Sequence, residues 1–393
     1  MRRIDKRILT ARRAAEIEPF EVMDVLARAH ALEAQGRRVV HMEIGEPDFA
    51  APAPVVEAGV RALRDGLTAY TATLGLPALR EAIARHYEEK FSRNIEPGRI
   101  AITAGASGGL LTVAALYVDA GDEVLVPDPG YPGYRHFVRA FEGVARSIPV
   151  SAASAFQPTL DQVRAAWGPR TKGLLLGSPS NPTGTLIPRE ELTRIAGFVA
   201  AQGGVLLLDE IYQGLVYGEE PFSALGLPGN VVVINSFSKY FCMTGWRLGW
   251  VVLPPAAVRS FEKLAQHLFI SAPAVAQHAA VAAFSPESIS VLEERRREFA
   301  ARRDFLLPAL KAAGLAVPAE PKGAFYVYAD CGGDSRKFTR ELLQTEAVAA
   351  TPGIDFGANE TDRFVRFAYT RSLAELEEAA AGIRRFAASW PSA

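Results

Sequence analysis

The sequence predicts an α/β fold: a large domain with a mostly parallel seven-stranded sheet flanked by helices, plus a smaller α/β domain formed by both termini. Three observations predict it. Short apolar runs at 99–103, 123–127, 145–150, 173–177, 205–209, 231–235 and 248–253 alternate with longer helical patterns such as 110–117 and 189–201. Parallel strands need crossover helices, so this alternation implies a sheet covered on both faces. The chain has 393 residues, whereas single cores stop growing at roughly 250–300. Finally, polar residues cluster just after the strand runs, where open sheets of this class bind ligands.

The termini read differently from the middle. Residues 11–35 look like one long helix ended by Gly36. From about residue 285 a charged helix runs toward Pro308, followed by the apolar run 324–329, a helical pattern over 335–347 and a last helix near 373–388. The expected division is 1–45 as an N-terminal segment of the small domain, 46–284 as the large ligand-binding domain, and 285–393 as the small C-terminal domain.

Composition excludes several function classes. Hydrophobic residues make up 49% and charged residues 22%, the balance of a folded globule. The formal net charge of -1, with no long single-sign run, argues against a nucleic-acid surface and suits small-molecule chemistry. No window approaches the roughly 18 apolar residues of a membrane span. Met1-Arg2-Arg3 is basic but no apolar stretch follows, so no signal peptide is expected, and the protein is expected to be cytoplasmic. Cys242 and Cys331 form no CxxC pair and are expected to be free thiols. His30, His41, His86, His136, His267 and His278 show no zinc spacing, so no metal is expected.

Four motifs carry chemistry. Ser236-Phe237-Ser238-Lys239 is followed by Gly245-Trp246-Arg247-Leu248-Gly249. A lysine attacks an aldehyde only as the free amine, so it needs a site that lowers its pKa. Ser236, Ser238 and Arg247 provide hydroxyl and guanidinium donors suited to a phosphate. Taken alone, the SxSK is more often a loop lysine beside a structural arginine. Asp209-Glu210-Ile211-Tyr212 closes the apolar run 204–208, which would aim Asp209 into the ligand crevice; a helix cap explains it equally well. Ser178-Pro179-Ser180-Asn181-Pro182-Thr183-Gly184 reads as a stiff turn that fixes Asn181, although a plain turn has the same composition. Gly105-Ala106-Ser107-Gly108-Gly109 lies between a strand and a helix, where small residues let backbone N–H groups approach a phosphate.

Taken together and in this order, these motifs resemble the class I/II aminotransferases of pyridoxal-phosphate fold type I, the aspartate aminotransferase-like group. The likeness extends to Gly45-Glu46-Pro47-Asp48-Phe49, Tyr70 before Gly75 and Leu79-Arg80, Asp128-Pro129-Gly130-Tyr131-Pro132, and Arg366, and so covers nearly the whole chain. The resemblance implies that Lys239 holds pyridoxal 5'-phosphate as a Schiff base and shuttles the substrate Cα proton. Asp209 would pair with the pyridine nitrogen, and Asn181 and Tyr212 would contact the ring phenolate oxygen. Tyr131 would stack on the ring. Ala106, Ser107, Ser236, Ser238 and Arg247 would hold the phosphate, joined by Tyr70 from the partner subunit of a homodimer. Arg366, aided by backbone at Gly45 and by Asn181, would grip the substrate α-carboxylate. The implied reaction moves an amino group between an L-amino acid and a 2-oxo acid.

Two other readings stand beside it. The same fold and lysine site also occur in carbon–sulfur lyases and a cyclopropane-forming synthase, since fold and cofactor do not fix reaction type. A non-catalytic sensor of amino acid or cofactor is the remote alternative. On substrate choice, Ser107 stands where some aspartate-preferring relatives place a lysine, which argues against aspartate. Ile17, Phe20, Phe269, Tyr326 and Phe367 are candidates for an apolar substrate pocket, and core packing would explain each as well.

Overall fold

A computed structural model describes residues 10–390. Met1, Arg2 and Arg3, on which the leader expectation rests, lie outside the described residues. The central sheet has seven strands. In spatial order they are Ile100–Thr103, Gly249–Val252, Asn230–Ser236, Val205–Asp209, Thr171–Gly177, Glu123–Asp128 and Val144–Pro149. All pairings are parallel except those of Gly249–Val252, which runs antiparallel to both neighbours.

The apolar runs are nearly continuous because both faces of the sheet are covered, and successive side chains point to opposite faces. Leu174, Leu176, Leu206, Leu208, Val231 and Val233 pack into one core with the helices Pro77–Phe91 and Arg189–Ala201. Leu175, Val205, Leu207, Val232 and Ile234 pack into the other, with Gly105–Tyr117 and Val258–Leu268.

The chain ends meet in a second, smaller α/β assembly. Val40–His41 pairs in parallel with Val348–Ala349. A three-stranded antiparallel sheet joins Thr351–Pro352, Phe364–Ala368 and Tyr326–Asp330. Helices Pro286–Ala312, Ser335–Glu346 and Leu373–Ala387 complete it, the last opened by a capping box between Ser372 and Glu375.

Three local expectations need correction. Residues 11–35 form two helices, Arg12–Glu16 and Glu21–Glu33, rather than one. Pro19 is the reason: it lacks an N–H and pushes Glu18 out of the helical region. The helix at 110–117 begins earlier, at Gly105, so the glycine-rich stretch is its first turns rather than a turn before it. The charged helix runs through Pro308 to Ala312, held there by the fully buried Leu306 and Leu310. Cys242 and Cys331 are free and buried. Among the described residues no helix is long and apolar enough to cross a membrane.

Helix Pro286–Ala312 ties the two assemblies together. Phe299 is buried against Phe49, at 5.4 Å between ring centroids, and against Phe325 at 5.5 Å. One turn on, Arg302 pairs with Asp48 at 2.8 Å. Replacing Phe299 with Ala is expected to cost about 3–5 kcal/mol of stability through the lost burial and the cavity left behind. The measurement is the urea midpoint, which should fall with an unchanged slope.

Candidate active site

A cavity of about 300 Å³ opens beyond the carboxyl ends of the central parallel strands. Gly45, Ala106, Ser107, Tyr131, Asn181, Asp209, Tyr212, Ser236, Ser238, Lys239, Arg247 and Arg366 all line it. Tyr70 does not; it is 79% exposed on the surface of the protomer.

One end of the cavity is built as an anion cradle. The helix Gly105–Tyr117 points its N-terminus there, with Gly105 in the left-handed region at φ +71°. Unpaired N–H groups at a helix start, with the helix dipole behind them, favour a negative ligand. Thr103 Oγ1 donates to the Gly105 carbonyl at 2.8 Å and holds the turn. Arg247, itself left-handed at φ 53°, lies so close that a Cβ on Gly105 would sit 2.6 Å from its guanidinium. Among the described residues no carboxylate pairs with Arg247, whose Nη1 donates only to the Thr244 carbonyl at 2.9 Å. Ser236 and Ser238 add two hydroxyls 2.9 Å apart. A helix start, two hydroxyls and an unpaired guanidinium form a donor set that fits a phosphate.

The other groups face one another across the cavity. Asp209 ends its strand 5% exposed, accepting from Ile211 N–H at 3.1 Å and from the Tyr134 hydroxyl at 2.9 Å. Burial pushes its pKa up to about 6, against the pull of those two hydrogen bonds and of Lys239. Lys239 Nζ donates to the Gly45 carbonyl at 2.6 Å. Its pKa falls to about 8, chiefly through burial, with Arg366 and Arg247 adding repulsion while Glu46 and Asp209 oppose the shift. The Tyr212 and Tyr326 hydroxyls share a hydrogen bond of 2.8 Å, and burial raises the pKa of both. Gly45 has no side chain because the Tyr326 hydroxyl fills the place of its Cβ.

Arg366 sits mid-strand, 5% exposed, with Nη1 donating to Asn181 Oδ1 at 3.0 Å and Nη2 to the Glu43 carbonyl. Its buried Nε has no partner. No carboxylate pairs with this guanidinium among the described residues, and Tyr326 lies 4.4 Å under it. A buried cation left short of acceptors suits a small carboxylate.

Of the apolar candidates, Phe20 and Tyr326 line the cavity, and Phe20 stacks on Tyr131 at 6.3 Å. Ile17, Phe269 and Phe367 do not line it. Ile17 is 37% exposed, Phe269 packs against the sheet core, and Phe367 is fully buried within its own sheet. Tyr134 and Asp355 also line the cavity and were missed by the sequence reading. Tyr134 follows Tyr131 by three residues at the start of a helix, the only local hint of its position. Among the described residues no group of acidic, histidine or cysteine side chains could hold a metal.

The cradle can be tested directly. A Cβ on Gly249 would fall 2.7 Å from Ala106 N and 2.7 Å from the Asn235 carbonyl, both backbone atoms. Gly249→Ala is therefore expected to displace the helix start and weaken pyridoxal 5'-phosphate binding by about tenfold or more. Titrating apoprotein with the cofactor and following its absorbance measures this.

Comparison with known proteins places this geometry. The family model described as aminotransferase class I and II matches residues 37–383. The chain is 39% identical to the (5-formylfuran-3-yl)methyl phosphate transaminase of Methanocaldococcus jannaschii, over 96% of this chain and 99% of that protein. It is also 39% identical to the valine–pyruvate aminotransferase of Mycobacterium tuberculosis, over 96% and 98%. Among solved structures, an aminotransferase from Mycobacterium tuberculosis superposes with a TM-score of 0.94 at 38% identity, covering 98% of this chain and 100% of that one. The aspartate aminotransferase of Thermus thermophilus with maleate gives 0.91 at 33% identity, covering 97% and 100%. The chain belongs to the aminotransferase class I and II family and is a pyridoxal 5'-phosphate-dependent transaminase acting between amino acids and 2-oxo acids.

Proposed function

We propose that the protein uses Lys239 as covalent anchor and proton carrier to transaminate amino acids with uncharged, apolar side chains. One observation carries the reading: a single cavity holds a buried amine of lowered pKa, a buried carboxylate and a buried guanidinium without an acidic partner among the described residues.

Ala106, Ser107, Ser236, Ser238 and Arg247 would hold the cofactor phosphate, and Tyr131 would cover the ring. Asp209 would pair with the ring nitrogen and favour its protonated form. Asn181 and Tyr212 would donate to the phenolate oxygen. Arg366 and the Gly45 backbone orient the substrate carboxylate, which fixes the Cα proton toward Lys239. When bound, the cofactor supplies an electron-withdrawing ring that spreads the charge developing at Cα. Lys239 Nζ takes that proton as a general base, and its lowered pKa leaves a useful fraction in the free-amine form near neutrality. Tyr70, exposed on the protomer, would be free to reach the phosphate held by a partner subunit in a homodimer. The protein works in the cytoplasm. The division into 1–45 and 285–393 against 46–284 separates the substrate-gripping Gly45 and Arg366 from the cofactor-holding residues.

The side-chain preference follows from the walls. Beyond Lys239, Arg247 and Arg366, no cation of the described residues lines the cavity, whereas Phe20, Val22, Ile44 and Phe356 do. Asp355, 4% exposed, adds a carboxylate that disfavours a second acidic group on the substrate. The relative named valine–pyruvate aminotransferase supports the same choice. With a panel of donors followed by cofactor absorbance, kcat/KM for valine, leucine or phenylalanine is expected to exceed that for aspartate by about tenfold or more. A preference for aspartate would overturn the substrate assignment.

Lys239→Ala is expected to abolish turnover, and near-normal transamination in that variant would remove the assignment of Lys239. The pH dependence has a definite sign. Only the neutral amine attacks the aldehyde, and with a pKa of about 8 it is gained as pH rises. The rate of covalent cofactor capture by apoprotein should climb about tenfold per pH unit below 8 and level off above it. Stopped-flow absorbance gives that profile.

A further inference from the structure

We infer that Tyr134 is a positioning residue for Asp209: its hydroxyl, admitted by the absence of a side chain at Gly177, holds the Asp209 carboxylate ionised and aimed at the cofactor ring. This rests on the reading above, in which Asp209 faces the ring nitrogen.

Thr171–Gly177 and Val205–Asp209 run parallel, with Gly177 directly beside Asp209 at the end of the ladder. Any side chain at Gly177 would occupy the space flanking the carboxylate. A Cβ there would sit 2.7 Å from the Tyr134 hydroxyl oxygen, too close to be tolerated, but 3.7 Å from the ring carbon that bears it, an ordinary contact. The vacancy therefore matches one atom, the hydroxyl oxygen.

That hydroxyl donates to Asp209 Oδ2 at 2.9 Å, while Ile211 N–H takes Oδ1 at 3.1 Å. The two bonds fix the rotation of the carboxylate about its Cβ–Cγ axis. Tyr134 is itself 5% exposed and packs edge-on against Tyr131 at 5.2 Å, so it has little freedom to leave. Of the charged and titratable groups, Tyr131, Tyr134, Tyr212 and Lys239 line the cavity with Asp209 and interact with it electrostatically, and the neighbouring Glu210, hydrogen-bonded to Ser223 and Ala224, also repels it. Burial and the negative carboxylate keep the Tyr134 hydroxyl protonated, so it is always the donor. Asp209, already pushed up to about 6 by burial, would move closer to neutrality without it. A neutral acid no longer holds the ring nitrogen positive, and the electron withdrawal at Cα weakens.

The test is a double-mutant cycle on Tyr134→Phe, Gly177→Ala and both together. Tyr134→Phe is expected to lower kcat about tenfold with KM for the amino acid little changed, since Arg366 is untouched. It should also weaken pyridoxal 5'-phosphate binding to apoprotein several-fold, and move the acid limb of the pH–kcat profile about one unit upward. Gly177→Ala should give the same defects by expelling the hydroxyl. The double variant should be no worse than Tyr134→Phe alone, because the added methyl then occupies the space the oxygen left. Unchanged kcat, cofactor affinity and acid limb in Tyr134→Phe would overturn the inference, as would a harmless Gly177→Ala or strictly additive defects. A Tyr134→Phe protein that failed to fold would overturn it too, by making the hydroxyl a requirement of the fold. Wild-type protein that bound no pyridoxal 5'-phosphate would instead overturn the reading of the site; binding by wild type with unaffected variants would overturn this inference alone.

Discussion

An ionisable carboxylate taken out of water costs several kcal/mol unless something compensates it, and the site is arranged around one such group. Asp209 sits at the end of a central strand with both neighbouring strands in place, so it cannot turn away to solvent. The protein supplies it with two neutral donors but no adjacent cation in contact. In the proposed function its remaining need would be met by a positive ring nitrogen, which would make the cofactor part of the electrostatic balance of the site. Lys239 is the converse. Burial, with Arg247 and Arg366 nearby, disfavours its charge, so this amine is already inclined to be neutral. Acid and base are thus tuned by the same removal of water, in opposite directions.

Much of this was legible in the sequence, for identifiable reasons. The strands announced themselves because a sheet buried on both faces must be apolar at nearly every position, as in Leu174–Leu175–Leu176 or Leu206–Leu207–Leu208. Several cavity-lining residues were legible because each follows such a run and so falls at or just beyond a strand end. Asp209, Asn181, Ser236 and Lys239 all reach the cavity in this way. The site residues that escaped notice obey no local rule. Tyr134 reaches Asp209 across 75 positions of sequence, and its role depends on a glycine in a third segment. Asp355 enters the cavity after a short strand in the other assembly, and its carboxylate accepts from Glu21 N–H at 3.0 Å. The misread helix over 11–35 had its answer in plain view, since Pro19 breaks the periodicity that suggested one continuous element. Ile17, Phe269 and Phe367 failed as cavity residues because hydrophobicity says that a side chain will be covered, not by what.

The N-terminal segment shows how distant parts of the chain are brought to one place. His41 pairs with strand Val348–Ala349 and, two residues on, Glu43 turns its carbonyl to the Arg366 guanidinium. Gly45 follows, offering its carbonyl to Lys239 and leaving room for the Tyr326 hydroxyl. A single extended stretch thus touches both Arg366 and Lys239.

The pairing of Val40–His41 with Val348–Ala349 also has a bearing on how the protein is made. The groups suited to the phosphate, from Ala106 to Arg247, leave the ribosome well before Arg366 does. A nascent chain therefore carries the early strand unpaired until its late partner emerges. Throughout that interval the N-terminal stretch has no ladder to join, and it must wait until Val348–Ala349 has been translated.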